Sequence, residues 1–211
     1  GLRLPGDMGV EEIAAAVTFA HQNGAKVYVS VNNIFSNNSL KGLPDYIARI
    51  SEIGADALVF GDPAVIMTLR QLGLKMPLHW NGEMTSTNFA SAAYWAEKGA
   101  VRVVLARELN MDQVLEIKRK VPMEVEVQVH GMTNIYHSKR ALVDSYLKYL
   151  NKVPGHTGPQ RGLYLVEHER PDLRFPVFED KNGTHVMSSE DLCMIENLHE
   201  LMEGRIDSFR V

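Results

Sequence analysis

The 211 residues include one cysteine, Cys193. That excludes an internal disulfide framework, and it excludes any all-cysteine metal site built by a single chain. Also missing is an apolar stretch near the roughly 18 residues that span a bilayer. The opening Gly1-Leu2-Arg3-Leu4-Pro5 does not read as a signal peptide, so a soluble, cytoplasmic protein with no membrane contact is expected. Neither sign of charge dominates: 22 basic residues face 26 acidic ones, a formal charge of -4 without long runs of one sign. The chain as a whole is therefore no polyanion binder, and any nucleic-acid surface must be a local patch. Several catalytic devices are absent as well: a GxSxG elbow, a phosphate-binding P-loop, a GxGxxG turn after a strand and an EF-hand loop. With 45% hydrophobic residues, disorder is excluded too.

What is present is a recurring phrase. "HQNGAKVYVSV", "SEIGADALVF", "RQLGLKMPLHW", "AEKGAVRVVLA" and "LMEGRIDSFRV" each place a glycine where a helical pattern stops and an apolar or alternating run begins. Upstream of these glycines, apolar residues recur at helical spacing, as in Leu43, Tyr46, Ile47 and Ile50, and they read as core. Strands are predicted near 26–31, 57–60, 77–80, 102–105, 123–129 and 206–211. Parallel neighbours need a crossover that a helix supplies, so the alternation predicts an α/β fold, a (β/α) TIM-barrel-like array, with an open doubly wound sheet as the competitor. Two further units ahead of residue 1 would complete eight strands, so the barrel is expected to be incomplete at both ends. The rhythm breaks at 151–189, read as a β-rich insertion with a tight turn at Lys181-Asn182-Gly183. The expected organisation is thus 1–150 as barrel, 151–189 as insertion, and 190–211 as the last helix and strand, the helix starting at Ser188 or Ser189 with Cys193 in its first two turns.

In barrels the chemistry gathers where strands run into the following loops. The segment "EVEVQVHGMTNIYHSKR" changes from a β-branched run to His130-Gly131 at such a place. Other expected strand ends carry Asn32, Asp62, His79 with Asn81 and Glu83, and Arg107-Glu108. We take His130, Glu83, Arg107 and Glu108 as catalytic candidates, and Asn32, His79, Asn81, Tyr136, Lys139 and Arg140 as substrate-binding candidates. Each has a structural alternative. His130 can simply bond a neighbouring strand end, Arg107-Glu108 can be an ion pair bracing the rim, and Asp62 before Pro63 reads as an N-cap. His79, Asn81 and Glu83 alternate along an extended segment and share a face, which suits either a polar pocket or a hydrated rim. "VEHERPD" is rich in ligating residue types but lacks HExxH spacing, so it reads as a solvated loop, and no metal ligands are assigned.

Taken together, "GLRLPGDMGVEEIAAAVTFAHQNGAKVYVSVNNIFSN", "GADALVFGDPAVI", "VLARELNMDQVLEIK", "EVEVQVHGM" and "FPVFEDKNGTHVMSSEDLCMIENLHELM" resemble the collagenase-like peptidases of family U32 over nearly the whole chain. The resemblance implies a barrel lacking its first two βα units. It also implies a function other than the family's name suggests, since well-understood members hydroxylate transfer RNA wobble uridine, a ribosomal RNA cytidine or a quinone precursor without molecular oxygen. Many such members hold an iron–sulfur cluster on four cysteines. Here Asn134 and Ala141 stand where the first pair falls, the insertion has no cysteine, and only Cys193 of "DLC" remains, so no cluster is expected in this chain. "VQVHGM" and "NGTHVMS" are most similar to shorter, Firmicute-type members that act beside a longer paralogue in forming 5-hydroxyuridine, with prephenate supplying the hydroxyl group. The implied partners are tRNA and either that paralogue or a second copy. Lys139, Arg140, Arg161, Arg170 and Arg174 are candidates for a local RNA patch, and Tyr136 for stacking on a base. Two alternatives stand beside this reading: a peptidase using a metal held by His79, Glu83 and His130, and a non-catalytic partner of the longer paralogue.

Overall fold

The computed structural model describes residues 8–84, 88–152 and 162–211. In chain order the elements are α1 (Val10–Gln22), β1 (Tyr28–Val31), α2 (Leu43–Ile53), β2 (Ala57–Phe60), α3 (Pro63–Leu72), β3 (Leu78–Asn81), α4 (Phe89–Glu97), β4 (Arg102–Val104), α5 (Met111–Lys120) and β5 (Glu124–Gln128). They continue with β6 (His130–Gly131), β7 (Asn134–Ser138), α6 (Leu142–Tyr149), β8 (Tyr164–Leu165), β9 (Phe175–Asp180), β10 (Gly183–Met187), β11 (Leu192–Cys193), α7 (Leu198–Glu203) and β12 (Ser208–Arg210). The chain divides into two compact units, one made of 8–129 with 195–211, the other spanning 130–194.

The larger unit is a parallel sheet in the order β1-β2-β3-β4-β5-β12. Neighbours in sequence are neighbours in space throughout, whereas a doubly wound sheet reverses direction at a switch point. Right-handed crossovers of one sense place every helix on the same side, which is the half-barrel expected from the repeat. Strand alternation then sorts the residues. Val29, Leu58, Phe60, Leu78, Trp80, Val103 and Val125 are buried, with Phe60 and Trp80 packing on Trp95 of α4 at ring-centroid distances of 5.4 and 5.6 Å. The alternate residues face inward and are largely polar.

Two aspartates explain how strands are set side by side. Asp56 donates its N–H to the Val27 carbonyl and accepts the Val27 N–H on its carboxylate; Asp207 does the same with Val125. Each recurs just before the strand of its repeat phrase, so part of the register is written locally. Asp62 is an N-cap as expected: one oxygen accepts from Ala64 N and the other from Phe35 N. Gly54 and Gly73 end their helices in the left-handed conformation. Gly204 does not, because Arg205 carries the positive φ there instead.

The unit 130–194 has a four-stranded antiparallel sheet, β7-β10-β9-β8, a short β6–β11 ladder and α6. It starts well before the expected boundary at 151 and ends beyond 189. The strand pattern of β7 and the helical pattern of α6 look like one more βα unit in sequence, yet β7 pairs antiparallel with β10. The hairpin β9–β10 turns at Lys181-Asn182, within the expected Lys181-Asn182-Gly183, with Gly183 opening β10 opposite Asp180, and Gly183 has φ 117°, where an added Cβ would collide with the Ser138 carbonyl. The helix expected from Ser188 or Ser189 is not formed. Ser188 N–H donates to the Thr133 carbonyl and Ser188 Oγ accepts from Thr133 N, so the groups that would cap a helix are spent on a neighbouring segment. A strand at 192–193 and a 3-10 turn at 195–197 precede α7 instead, and Cys193 is an exposed strand residue. In the segment 153–161, His156 and Arg161 lie outside the described residues.

Candidate functional site

Parallel register stacks the inward-facing side chains of the larger unit in tiers. The lower tier runs Ser30, Val59, His79, Arg102, Glu124. The next runs Asn81, Val104, Glu126, Ser208, and above it Gln128 pairs with Arg210. His79 therefore lies within β3 and not at its end as expected. It is buried, edge-on to Tyr28 at a ring-centroid distance of 4.6 Å, and its Nδ1 has no hydrogen-bond partner. Burial, with the Arg102 charge beside it, pushes its pKa down to about 4, so the ring is neutral in ordinary buffers. Arg102 itself is consumed in the tier: Nε and Nη2 reach Glu124 at 2.8 and 2.7 Å, Nη1 reaches Glu126 at 3.1 Å, and Ser208 Oγ also donates to Glu126.

At the C-terminal ends of the strands, Glu83 is the centre of a second network. The residue sits in the 3-10 turn Gly82–Met84 directly after β3, its side chain 3% exposed. Its Oε1 receives Arg107 Nη2 at 2.9 Å and Arg210 Nη2 as well, and its Oε2 receives Asn81 Nδ2 at 3.0 Å. Asn81 Oδ1 in return accepts the Glu83 N–H, and Gln128 Oε1 accepts from Arg210 Nη2 at 3.3 Å. Burial alone raises the carboxyl's pKa, but the Arg210 hydrogen bond and charge, the Arg107 charge and the Asn81 amide outweigh it and hold the pKa below the ordinary value. Glu83 is thus a fixed anion between two guanidiniums. What the arrangement does is hold and orient the two cations.

Asn32 is buried at the end of β1, where Gly61 approaches its carbonyl so closely that an added Cβ would stand 2.9 Å away. Arg107 takes Glu83 as its carboxylate partner, not Glu108, which is exposed. The larger unit thus brings Asn81, Glu83 and Arg107 into one cluster. His130, Tyr136, Lys139 and Arg140 belong to the other unit. There His130 is exposed and pairs with Cys193 across β6–β11, Tyr136 is half exposed on β7, and Lys139 and Arg140 are exposed beyond it. Among the described residues no group of three or more His, Cys, Asp and Glu could hold a metal ion. Arg210 and Gln128 escaped the sequence reading. The signal was the alternation Ser208, Arg210 against Glu126, Gln128, which becomes informative once the last strand is paired with β5.

The residues at the family's cluster positions do not fit an iron–sulfur group. Asn134 is buried with its amide committed to the Tyr136 carbonyl at 3.1 Å and the Met187 sulfur at 3.7 Å. Ala141 offers no donor atom, and the N-terminal amides of α6 just after it are taken by Glu179, which accepts from Val143 and Asp144 at 2.9 and 3.1 Å. Iron–sulfur clusters need thiolates, and only Cys193 supplies one.

Six consecutive parallel strands with polar groups converging at their C-terminal ends define a protein of the (β/α)-barrel class. The chain belongs to Peptidase family U32, whose model matches residues 1–211. It is 48% identical over its whole length to tRNA hydroxylation protein P2 of Bacillus subtilis (strain 168), of which it covers 69%, and 30% identical to tRNA hydroxylation protein P1 of the same organism, of which it covers 50%. It is also 28% identical to tRNA hydroxylation protein P of Escherichia coli (strain K12), with 95% of this chain and 54% of that one covered. The chain therefore spans between about half and two thirds of the length of these relatives. A solved U32 peptidase structure, 19% identical, superposes with a TM-score of 0.52 over 62% of this chain and 56% of that one, which supports the barrel-type fold. No helix among the described residues is long and apolar enough to cross a membrane.

Proposed function

We propose that this chain is a cytoplasmic subunit of a system that hydroxylates the wobble uridine of tRNA to 5-hydroxyuridine, with prephenate as the source of the hydroxyl group. The observation that carries this reading is the 48% identity with tRNA hydroxylation protein P2, which extends across both units. Its macromolecular substrate is tRNA, and its partner is a longer paralogue, with a homodimer as the other arrangement. Any iron–sulfur chemistry falls to that paralogue, since Asn134 and Ala141 cannot act as thiolate ligands. The peptidase reading is weaker on physical grounds. It needs a free base or a metal-bound water, whereas Glu83 is engaged with Arg107 and Arg210, and His79 is buried and neutral.

The test is mass spectrometry of tRNA nucleosides from cells lacking the gene, alone and with the gene restored on a plasmid. Loss of wobble 5-hydroxyuridine that returns with the plasmid is the expected result. An unchanged nucleoside profile refutes the assignment.

A further inference from the structure

We propose that the cleft at the N-terminal end of β3 is a docking surface for the phosphate backbone of RNA, with Arg70, Lys75 and Lys98 as its cations. This rests on the tRNA reading above and deepens it, by giving the RNA a place of contact on this chain. The cleft, of about 340 Å3, lies wholly within the larger unit, between the end of α3, the α3–β3 loop and the end of α4. Its floor is aliphatic, with Ile66, Leu69 and Leu78, and its lining carries the three cations and no carboxylate. Among the described residues none of the three is in an ion pair. Arg70 Nη2 donates to the Lys98 carbonyl at 3.0 Å, and Lys98 Nζ lies over the Tyr94 ring at 5.1 Å.

The surrounding acids are turned elsewhere. Between Asp62 and Glu97 the only acidic residue is Glu83, which follows the other end of β3 and is held there by Arg107 and Arg210. Asp62 caps the far end of α3. Asp56, before the neighbouring strand, is engaged by Val27 and His21. Arg70 reaches toward α4, away from α2 and its Glu52. Glu97 shares a stripe of α4 with Phe89 and Ala93, and Lys120 of α5 lies over the Phe89 ring at 3.9 Å, so that stripe faces α5. The C-terminal ends of α3 and α4 bring about half a negative charge each, which leaves a local excess of about two positive charges. Unpaired cations on an open cleft match the repeating charge of a phosphate backbone. Tyr94, 52% exposed beside Lys98, adds an aromatic ring of the kind on which single-stranded bases stack. Barrels keep their chemistry at the opposite end of the strands, so this surface anchors RNA and leaves the reacting base to other residues.

The experiment measures binding of fluorescently labelled tRNA to the purified full chain by anisotropy over a series of salt concentrations, with polyglutamate as a competitor. The wild type should bind, with the logarithm of its affinity falling linearly against the logarithm of salt. Lys75→Gln and Lys98→Gln should each reduce that slope by just under one, and adding Arg70→Gln to both should weaken binding by about tenfold or more. Arg70→Lys keeps the charge and should hold the wild-type slope. Lys41→Gln, at an exposed lysine outside the cleft, should change neither slope nor affinity. Lys75 is an exposed loop residue, so its variant stays readable if loss of the Arg70–Lys98 bond disturbs folding. Absence of tRNA binding, a wild-type slope in the triple variant, equal losses in Lys41→Gln and Lys75→Gln, or displacement of tRNA by polyglutamate at equal charge concentration overturns the proposal. These outcomes are separate from the nucleoside result: an unchanged profile in the deletion strain refutes the hydroxylation reading, whereas the salt slopes judge the cleft alone.

Discussion

Replacing Glu83 by Gln keeps the shape of the side chain and removes its charge. In the wild type that charge is met by two guanidiniums and an amide inside a side chain only 3% exposed. Breaking a fully buried pair by neutralising one partner costs about 3–5 kcal/mol. Arg107 and Arg210 are 14% and 28% exposed, so both regain some hydration, and the glutamine oxygen still accepts one N–H. We therefore expect a loss of about 2–3 kcal/mol, below the fully buried range. For a chain of this size that corresponds to a fall in melting temperature of about 4–12 °C. The assay is intrinsic: both tryptophans, Trp80 and Trp95, lie in the larger unit, so their fluorescence follows the unfolding of that unit. The pH dependence has a definite sign. A carboxylate with a depressed folded pKa stabilises above its unfolded value and loses that contribution as pH falls through the folded value. The gap between wild type and Glu83→Gln should therefore be full at neutral pH and close in acid. A variant that melts within about 1 °C of wild type at neutral pH, or a gap indifferent to acid, would refute the ion-pair account.

His79 has a folded pKa of about 4 against an ordinary 6.5. Its unfolded form binds protons more readily, so acidification between those values should cost the larger unit up to about 3 kcal/mol; His79→Gln should flatten that part of the stability profile measured by urea titration. Gly183→Ala forces a Cβ into the Ser138 carbonyl at φ 117°, and amide exchange in β9 and β10 should rise sharply while the tryptophan signal stays native. Asp62→Ala removes the acceptor for both Ala64 N and Phe35 N; a loss of about 1–2 kcal/mol is expected by the same fluorescence measurement.

Five of the six strands of the half-barrel were legible because each is announced twice, by a glycine after a helical pattern and by an apolar or alternating run; β5 has only the run, after Val121-Pro122. Glu83 and Arg107 were legible as strand-end residues, but their partnership was not. Their common partner Arg210 lies 127 residues away from Glu83, and no local pattern reports a contact of that separation. His79 was misplaced by a small shift: a strand ending at 81 instead of 80 puts the ring one tier lower, among Arg102 and Tyr28, where burial governs its charge. The boundary at 130 was hidden for a different reason. β7 and α6 mimic one more barrel repeat in hydrophobic period, and only pairing with β10, more than 40 residues on, makes the sheet antiparallel.

In the second unit the start of α6 is fastened by side chains of its own sheet. Where relatives are expected to hold iron with thiolates, this chain has an alanine beside the start of α6 and a buried asparagine on β7. The open ends of that helix still need partners. Glu179, buried on β9, accepts the Val143 and Asp144 amides, and Thr184 on β10 accepts from Leu142. Thr184 Oγ1 also bonds the Glu179 carboxylate, tying the two strands to the same helix end. A helix terminus favours an anion through its dipole, so one carboxylate fastens α6 to its own sheet.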